Sequence, residues 1–280
     1  MPELPDLLYI QSYLKRHVQG RTVAGALVKQ PVVLRVAVTE SFEEALKGKR
    51  IQDIHLHGPF LRFSISGRDL ILNLMLAGRL QHQRAGEKAD GYLCFSLILD
   101  DGSALNFCDQ QRMGKAYLVE EGDYALVPRY GIQGVDVLSA EFTLDRFREL
   151  TRRHSRKQVR VFINDHTILS AVGNAYADEI LFEAKIHPKT FVARLTEEDC
   201  NRLYEAVRSV LLWGIDEVAK AAAPIQVRVR NHLRVRNRKG EPCPRCGTTI
   251  RREGVRGHDV FFCPVCQPAS RVLFLDWRRI

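Results

Sequence analysis

Cys243-Pro244-Arg245-Cys246 and Cys263-Pro264-Val265-Cys266 decide the fold of the last fifth of this 280-residue chain. Sixteen residues separate the two pairs. A gap of two residues lets both thiolates of one tight turn point at a single ion, and a hairpin between the pairs can bring the two turns together. Gly247 suits the first turn, and residues 248–250 and 260–262 have the pattern of strands. The spacing therefore predicts a tetrahedral zinc site, whose ligands are Cys243, Cys246, Cys263 and Cys266.

The zinc ion expected at this site is structural, because four thiolates leave no open coordination position. Its binding would stabilise a hairpin that is too small to fold by burial alone. Two disulfides are the alternative, and they fit poorly with an intracellular chain. The other three cysteines, Cys94, Cys108 and Cys200, are isolated in the sequence and are predicted to be buried free thiols.

The segment around these cysteines also carries the net charge. The chain has 42 Lys and Arg against 33 Asp and Glu, which gives +9 and a pI near 9.3. Residues 226–280 hold thirteen basic and four acidic side chains, so they account for the whole excess. A solubilising tail is the alternative, but Val, Leu, Phe and Cys interleave with the charges here. The pattern favours a module that binds a polyanion, with nucleic acid as the first candidate.

Length and composition limit the class of protein. At about 150 residues per domain, 280 residues predict roughly two domains. A hydrophobic content of 45% and a charged content of 27% argue against a mainly disordered chain. No apolar run reaches the roughly 18 residues of a membrane span, and the first residues lack the apolar region of a signal peptide. We therefore expect a soluble, cytoplasmic protein.

The hydrophobic pattern changes from strand-like to helical at about residue 139. Short strands with close turns predict an antiparallel β-sandwich in the N-terminal part. A helix from about Asp6 to Gln19 is predicted ahead of them, because apolar residues recur on one face. Thr196 to Asp199 resembles a capping box that opens a long helix. The predicted strands span residues 21–38, 50–57, 60–66, 69–76, 91–100, 103–108 and 115–119.

Four stretches, taken in order, resemble one protein family. They are Met1-Pro2-Glu3-Leu4-Pro5, residues 172–179 with Ile186-His187-Pro188, Arg238-Lys239-Gly240-Glu241-Pro242-Cys243, and the paired cysteines. Over nearly its full length the chain is similar to the formamidopyrimidine-DNA glycosylase / endonuclease VIII family. The resemblance implies an α+β multidomain fold with DNA between two lobes. Its parts would be an N-terminal β-sandwich (1–130), a helix-two-turn-helix domain (131–225), a linker with the zinc finger (226–268) and a C-terminal extension (269–280).

The resemblance also implies a nucleophile. In this family it is the imino nitrogen of an N-terminal proline, which here would be Pro2 after loss of Met1. A terminal amine has a pKa of about 8 and a lysine one of about 10.4, so the terminal amine offers more free base at neutral pH. Attack on the sugar C1′ displaces the base and leaves an iminium ion, which acidifies the C2′ proton and permits strand cleavage by elimination. Glu3 is implied as the acid/base that protonates the opening sugar.

Several DNA contacts follow from the same resemblance. Asn174 matches the family asparagine that binds phosphate beside the lesion, and its alternative is a turn residue with positive φ between two helices. The family fills the void left by the lesion with Met, Arg and Phe, and these places hold Leu76, Gln111 and Met113 here. Gln111 keeps hydrogen-bonding capacity but loses the guanidinium charge. Arg112 stands where the family has the second arginine of the segment that corresponds to residues 109–114.

Other positions depart from the family pattern. Pro59 replaces a lysine that grips phosphate, and His57 or Arg62 are candidate substitutes. His258 replaces the arginine that binds phosphate from the zinc hairpin, with Arg256 nearby, and it is either a phosphate contact or a turn residue. The chain also continues beyond the last cysteine, where four apolar residues could pack back on the protein or meet a partner: Leu273, Phe274, Leu275 and Trp277.

The sequence thus predicts a bifunctional DNA glycosylase and AP lyase of base-excision repair, which acts as a monomer on damaged double-stranded DNA. Pro2 and Glu3 match the family pattern, whereas the residues at the phosphate-binding and void-filling positions differ from it. We therefore expect an altered lesion preference, toward bulkier or destabilised bases or abasic sites. One alternative is a protein that binds damaged DNA with little or no catalysis, with Pro59 as its signature. Another is a zinc-ribbon regulatory or RNA-binding protein, which accounts for the basic end alone.

Overall fold

The computed structural model describes residues 1–269, and the chain divides into two compact units. The first contains Met1–Gln133 and Val218–Val229, and the second contains Gly134–Glu217 and residues 230–269. The apolar residues expected to pack near the C-terminal end, from Leu273 to Trp277, lie outside the described residues. The domain limits at 130 and 225 remain predictions. No helix within residues 1–269 is long and apolar enough to cross a membrane.

The first unit consists of two helices and two β-sheets, which confirms the predicted β domain. The four-stranded sheet has the order β1-β7-β8-β6, and the five-stranded sheet has the order β2-β9-β5-β4-β3. Neighbouring strands are antiparallel except β2 and β9, which pair in parallel. The elements are α1 (Leu4–His17), β1 (Val23–Val28), β2 (Leu34–Val36), α2 (Phe42–Leu46), β3 (Ile51–His57), β4 (Phe60–Ile65), β5 (Arg68–Asn73), β6 (Arg79–Gln83), β7 (Leu93–Leu99), β8 (Ala104–Cys108) and β9 (Lys115–Glu120).

Two of the predicted elements differ from the structure because of proline. Helix α1 begins at Leu4 rather than Asp6, since Glu3 is the N-cap and Pro5 occupies the first turn, where a missing N–H leaves no bond unmade. The strand predicted over 21–38 is interrupted, because Pro31 begins a short 3₁₀ helix, Pro31–Val33, between β1 and β2. Proline removes a donor from the ladder, so a continuous strand could not pass through that position.

Two elements of the first unit were not predicted. Strand β6 has the sequence Arg-Leu-Gln-His-Gln, whose single aliphatic residue gives no alternating pattern. It lies at the edge of its sheet and pairs with β8 alone. Helix α2 has five residues, which is too short for a helical period to show. Its signal is the capping box of Ser41 and Glu44, in which the Ser41 N–H donates to the Glu44 carboxylate at 3.2 Å.

The second unit contains four helices and a β-hairpin, as expected for a helix-two-turn-helix domain followed by a zinc finger. The capping box predicted at Thr196 is confirmed. Thr196 directly precedes α6, and its Oγ1 accepts a hydrogen bond from the Asp199 N–H in the first turn of that helix at 3.1 Å. The prediction that the first hairpin strand covers residues 248–250 was wrong, because this strand begins at Arg251. Residues 248–250 instead pair back within the first cysteine turn, where Cys243 N donates to Thr248 O at 2.8 Å. The elements are α3 (Leu144–Arg153), α4 (Val159–Ile163), α5 (Asn174–Glu183), α6 (Glu197–Ala221), β10 (Arg251–Val255) and β11 (His258–Phe262).

The three isolated cysteines, Cys94, Cys108 and Cys200, are buried free thiols, as predicted. Burial disfavours the thiolate and raises the pKa of Cys108 to about 12. The pKa values of Cys94 and Cys200 are raised for the same reason. Because the thiolate is the reactive form, these side chains serve packing rather than chemistry.

Helix α5 carries two buried carboxylates, and the first of them connects three parts of the second unit. Asp178 Oδ1 accepts a hydrogen bond from Arg160 Nε at 2.9 Å. Its Oδ2 accepts from Arg236 Nη1 at 2.7 Å and from the Phe261 N–H at 3.3 Å. Burial raises the pKa of Asp178, and the charges of Arg160 and Arg236 oppose that shift. The carboxylate thereby ties α4, the stretch after Arg230 and strand β11 to one helix.

The second carboxylate satisfies backbone donors. Glu179 is fully buried, and it accepts the N–H groups of Arg234, Val235 and Arg236 at 3.0, 2.9 and 3.0 Å. These three residues belong to neither helix nor strand, so their donors have no ladder to join. The Glu179 carboxylate thus accepts the backbone hydrogen bonds that the carbonyls of a neighbouring strand would accept in a sheet.

We expect Asp178→Asn to lower the free energy of unfolding by about 3–5 kcal/mol, because it leaves two guanidiniums without their counter-charge in a buried setting. Urea unfolding followed by circular dichroism measures the change. Asp145→Asn is the matched control, since Asp145 also lies near an arginine, Arg148 at 3.7 Å, but has a side chain that is 94% exposed. The control should change stability by less than about 1 kcal/mol. Equal unfolding midpoints for the two variants would contradict the importance given to Asp178.

Candidate functional site

The first residues of the chain are held by the start of helix α1. The Glu3 N–H donates to Asp6 Oδ2 at 2.9 Å, and the two residues form a capping box. Both side chains are about 5% exposed, although each is acidic. Pro2 is buried and lies directly before this cap. The amino end of a helix carries partial positive charge, which suits bound anions and disfavours a protonated nitrogen beside it.

Pro2 lines a narrow pocket within the first unit. Its other lining residues include Asp6, Leu74, Gly78, Arg79 and Arg228. Two guanidiniums against one carboxylate give the pocket a basic wall, which suits a phosphate. Neither Arg79 nor Arg228 stands in a sequence motif that predicts a role at this site. Arg79 follows Gly78, where an added Cβ would lie 2.3 Å from Leu74 O, so the chain makes a close turn just before it.

Leu76 lies at the top of the turn between β5 and β6. Gly78 N donates to Leu74 O at 2.9 Å, and Met75 N donates to Asn73 Oδ1 at 3.1 Å. Met75 adopts a φ of 48°, a region that costs about 1 kcal/mol or more for a residue other than glycine. Leu76 itself is 54% exposed. The turn thus combines a strained backbone conformation at Met75 with a solvent-exposed apolar side chain at Leu76.

The segment from Asp109 to Gly114 forms a second presenting loop. Asp109 Oδ1 accepts the Gln111 N–H at 2.9 Å, and Oδ2 accepts the Gly114 N–H at 2.7 Å. Gly114 is required because a Cβ there would lie 2.6 Å from the Phe107 ring. The loop leaves four exposed side chains: Gln110, Gln111, Arg112 and Met113. Since Asn73 and Lys115 are register partners in β5 and β9, this loop and the Leu76 turn adjoin the same end of that strand pair.

Asn174 is the first residue of α5, so it is not a turn residue with positive φ, and that alternative was wrong. Its Oδ1 accepts a hydrogen bond from Arg160 Nη2 at 2.9 Å, and its backbone carbonyl accepts another at 3.2 Å. Arg160 is only 3% exposed and is fixed in turn by Asp178. This bond uses the side-chain oxygen of Asn174, so it leaves the two N–H donors of the side-chain nitrogen to other partners.

Pro59 is buried in the turn between β3 and β4. His57 and Arg62, the candidate substitutes for the family lysine, both form hydrogen bonds within the first unit. His57 Nε2 donates to the Tyr130 carbonyl at 2.8 Å. Arg62 donates to the Tyr124 hydroxyl and lies 3.5 Å from the fully buried carboxylate of Asp69. Both side chains thus bond within the first unit, and Arg79 and Arg228 are the guanidiniums that line the pocket with Pro2.

His258 and Arg256 lie at the tip of the zinc hairpin. Arg256 and Gly257 form the turn with φ of 46° and 80°, and His258 begins β11. All three are exposed. His258 therefore belongs to a strand rather than to the turn itself. The neighbouring Arg252 is paired with Asp259 at 2.7 Å, so Arg256 and His258 carry the outward-facing basic groups of this tip.

The four cysteines of the hairpin form a zinc site. Their Sγ atoms all lie within 4.8 Å of one another, with Cys243 and Cys266 3.9 Å apart and Cys246 and Cys263 3.5 Å apart. A tetrahedron with Zn–S bonds of about 2.3 Å has edges of about 3.8 Å, so the sulfur atoms fit one Zn²⁺.

Each half of this site has a backbone N–H that donates to the first thiolate of its pair. Arg245 N donates to Cys243 Sγ and Cys266 N to Cys263 Sγ, each at 3.4 Å. Gly247 closes the first turn with a φ of 76°, as the sequence predicted. The N–H donors offset the charge of the thiolates, and four sulfur ligands make the ion structural.

Comparison with protein families finds three consecutive matches along the chain. Residues 1–116 match the formamidopyrimidine-DNA glycosylase N-terminal domain, and residues 133–223 match the H2TH domain of the same enzyme. Residues 240–269 match a zinc finger found in FPG and IleRS.

Individual proteins give the same result over the full length. The formamidopyrimidine-DNA glycosylase of Bacillus cereus is 30% identical over 278 residues, which covers 96% of this chain and 99% of the relative. That of Chloroflexus aurantiacus is 32% identical over 275 residues, with 95% and 98% covered. The crystal structure of MutM (Fpg) from Thermus thermophilus superposes with a TM-score of 0.83 at 29% identity, covering 96% and 100%. Lactococcus lactis Fpg, non-covalently bound to DNA with an AP site, gives 0.84 at 25%, covering 95% and 100%.

We expect Cys263→Ala to abolish stoichiometric zinc binding and to expose the backbone amides of β10 and β11, because the hairpin depends on the metal for its stability. Zinc content by mass spectrometry and amide hydrogen exchange measure the two effects. Cys200→Ala is the matched control, since it also removes a buried thiol but lies outside the cluster, and it should retain one zinc per chain. A Cys263→Ala protein that keeps both its zinc and its protected hairpin would contradict the four-thiolate site.

Proposed function

The chain belongs to the formamidopyrimidine-DNA glycosylase family, whose members are DNA glycosylases of base-excision repair, and on this premise we propose that it excises damaged bases through Pro2 and then cleaves the strand. The observation that carries the proposal is the position of Pro2. It is buried directly before a capped helix and lines a basic pocket with Arg79 and Arg228. A nucleophile needs such a fixed position near the atom that it attacks.

The reaction requires the imino nitrogen of Pro2, which is an amide until Met1 is removed. The free nitrogen attacks C1′ of the damaged nucleotide, the glycosidic C–N bond breaks, and the base leaves with a proton. The proline nitrogen then loses its proton and the C1′–O4′ bond breaks, with O4′ taking up a proton, which leaves an iminium ion between the nitrogen and C1′. This ion draws electrons from the sugar, so the C2′ proton is lost and the C3′–O bond breaks, with its electrons leaving on the phosphate oxygen. The partial positive charge at the start of α1 favours the unprotonated nitrogen that this attack needs.

Glu3 is proposed to protonate the ring oxygen as the sugar opens. Its side chain is adjacent to the nucleophile in sequence and is held in a capped, nearly buried position. A fixed carboxyl beside the reacting sugar can transfer a proton without waiting for a solvent molecule to arrive. Asp6 bonds the Glu3 N–H and thereby fixes the backbone from which Glu3 extends.

We propose damaged double-stranded DNA as the substrate, bound by one copy of the chain. A structure of Lactococcus lactis Fpg contains DNA with an abasic site, and a structure of LlFpg contains THF-DNA together with an inhibitor. In this chain the proposed phosphate contacts are Asn174, Arg112, Arg256 and His258, all of which carry donors at exposed or partly exposed positions. Arg79 adds a cation in the pocket itself, which is proposed to offset the loss of the family lysine at Pro59. These groups predict binding that weakens steeply as salt rises.

The lesion preference is proposed to differ from that of relatives with an arginine at the position of Gln111. Leu76 and Met113 are exposed apolar side chains, 54% and 41% accessible, and can occupy the space of an extruded nucleotide. Gln111 lies beside them on a rigid loop but has no charge. An uncharged amide forms weaker hydrogen bonds to an orphaned base than a guanidinium does. Lesions that are already unpaired, including abasic sites, would then be favoured.

Pro2→Ala and Glu3→Gln test the chemistry. With Met1 removed, we expect wild-type protein to form a covalent adduct with an abasic duplex in the presence of borohydride, which reduces the iminium ion. Pro2→Ala retains a primary amine in a less constrained position and should lose about tenfold or more in cleavage rate, and Glu3→Gln should lose about 10²-fold or more. Single-turnover cleavage and adduct formation on denaturing gels measure both.

An uncleaved N-terminal extension provides a second control, because it turns the Pro2 nitrogen into an amide and should abolish adduct formation without changing any side chain. Glu121→Gln removes an exposed carboxylate elsewhere in the first unit and should leave the rate unchanged. If the extended protein were trapped as efficiently as the processed one, Pro2 would not be the nucleophile. If no processed protein were trapped at all, the chain would be a damaged-DNA binding protein without this activity.

Gln111→Arg tests the contact to the orphaned base from which the altered lesion preference is inferred. The added guanidinium can form charge-assisted hydrogen bonds to the orphaned base, so we expect the spread of cleavage rates across the four opposite bases to widen by about tenfold. Single-turnover rates on four duplexes, each with one base opposite an abasic site, measure the spread. Gln110→Arg adds the same charge one residue away and is the matched control. Equal widening in both variants would show that charge alone, rather than contact at Gln111, sets the preference.

A further inference from the structure

Arg228 reaches from the second stretch of the first unit to the turn that presents Leu76. Its Nη2 donates to the Leu76 carbonyl at 2.7 Å and lies 3.4 Å from the Gly78 carbonyl. Arg228 is separated from Leu76 by 152 residues, so nothing in the local sequence requires this contact. A guanidinium offers a planar fork of donors, which suits two carbonyls of the same turn.

The turn needs such support. Met75 has a φ of 48°, and Gly78 leaves no room for a Cβ against Leu74 O. Conformations of this kind persist only where surrounding contacts over-determine them. The local contacts are the Asn73 side chain and the Leu74–Gly78 backbone bond, and Arg228 is the long-range one. Leu76 projects from this turn with half of its surface exposed, so its own packing cannot hold the backbone in place.

The stretch that carries Arg228 is itself fixed. Tyr9 on α1 donates its hydroxyl to the Ala223 carbonyl at 2.9 Å, and Val227 N donates to Pro224 O at 2.8 Å in a tight turn. Ile225 and Val227 of this stretch line the same pocket as Pro2. Arg228 is therefore held on one side by the segment that borders the pocket and bonds on the other side to the Leu76 turn.

We propose that Arg228 is a positioning residue that holds the Leu76 turn in the conformation that inserts Leu76 into the DNA helix where the damaged nucleotide leaves. The proposal rests on the proposed function, since it assigns Leu76 to the void in a damaged duplex. Arg228 acts through the backbone of another residue and need not touch DNA. Loss of Arg228 should therefore impair insertion of Leu76 more than it impairs binding of the phosphate backbone.

The test uses a duplex with a tetrahydrofuran abasic analogue, which the enzyme cannot cleave, and with 2-aminopurine as the opposite base. Insertion of a side chain beside 2-aminopurine unstacks it and raises its fluorescence, while anisotropy of a terminal dye reports binding alone. We expect Arg228→Met to reduce the fluorescence rise at saturation by about fivefold, the effect of losing one charge-assisted hydrogen bond. Its affinity for the duplex should fall by less than about threefold, as for one weak phosphate contact. Arg228→Lys keeps a charge and one donor and should recover part of the fluorescence.

Arg35→Met is the matched control. Arg35 is an exposed arginine of the first unit, whereas Arg228 is half-buried, and the Arg35 Nη1 likewise donates to two backbone carbonyls, Val32 at 3.1 Å and Leu34 at 2.7 Å. It does not line the pocket, so Arg35→Met should leave the fluorescence rise unchanged. Leu76→Ala should abolish the rise, and adding Arg228→Met to it should cause no further loss, because both changes remove the same insertion.

An Arg228→Met protein with the full fluorescence rise would overturn the inference, as would a wild-type protein that binds without any rise. Circular dichroism of each variant confirms folding, and Arg228→Lys carries the test if the methionine variant does not fold. Failure of the proposed function has a different signature, namely no borohydride adduct with a cleavable abasic duplex. Because the analogue duplex requires no reaction, the role of Arg228 is measured whether or not that adduct forms.

Discussion

Asp178 and Glu179 are consecutive residues of α5, and their side chains leave the helix about 100° apart, so they meet different partners. Asp178 accepts from Arg160, Arg236 and the backbone of β11, whereas Glu179 accepts three backbone N–H groups that no ladder supplies. Both carboxylates are buried and each is fully surrounded by donors. The orientation of Asn174, the course of the chain after Arg230 and the docking of the zinc hairpin on α5 all depend on these two groups.

The parts of the fold that the sequence predicted are those in which local chemistry decides. Spacing alone identified the cysteine turns, and the Thr196 box identified the start of α6. The differences arose where hydrogen bonding, rather than an apolar pattern, decides. Strand β6 contains little apolar pattern and exists because β8, about 25 residues further along the chain, provides its hydrogen bonds. Residues 248–250 resemble a strand but bond back to their own cysteine loop instead of extending the hairpin.

The same division applies to the site. Pro2, Glu3 and the cysteines stand in recognisable local patterns, so their candidacy followed from the sequence and the family resemblance. Arg79 and Arg228 did not, because one lies on an edge strand and the other in a basic stretch among many arginines. Only the fold shows that both line the pocket of Pro2. It also shows that His57 and Arg62, the substitutes considered for the lost lysine, are committed to Tyr130 and Asp69.

The pocket of Pro2 is assembled from segments that are far apart in the chain, since residues 218–229 belong to the first unit although helices of the second unit precede them. A gene fragment that ended near residue 133 would encode both β-sheets but would lack Val218, Ile225 and Arg228 of the pocket wall. The lobes are therefore not exchangeable modules, and recombination at the boundary between them would separate the nucleophile from its surroundings. Such a chain can diverge by substitution at the loops, whereas shuffling of its halves would destroy the site.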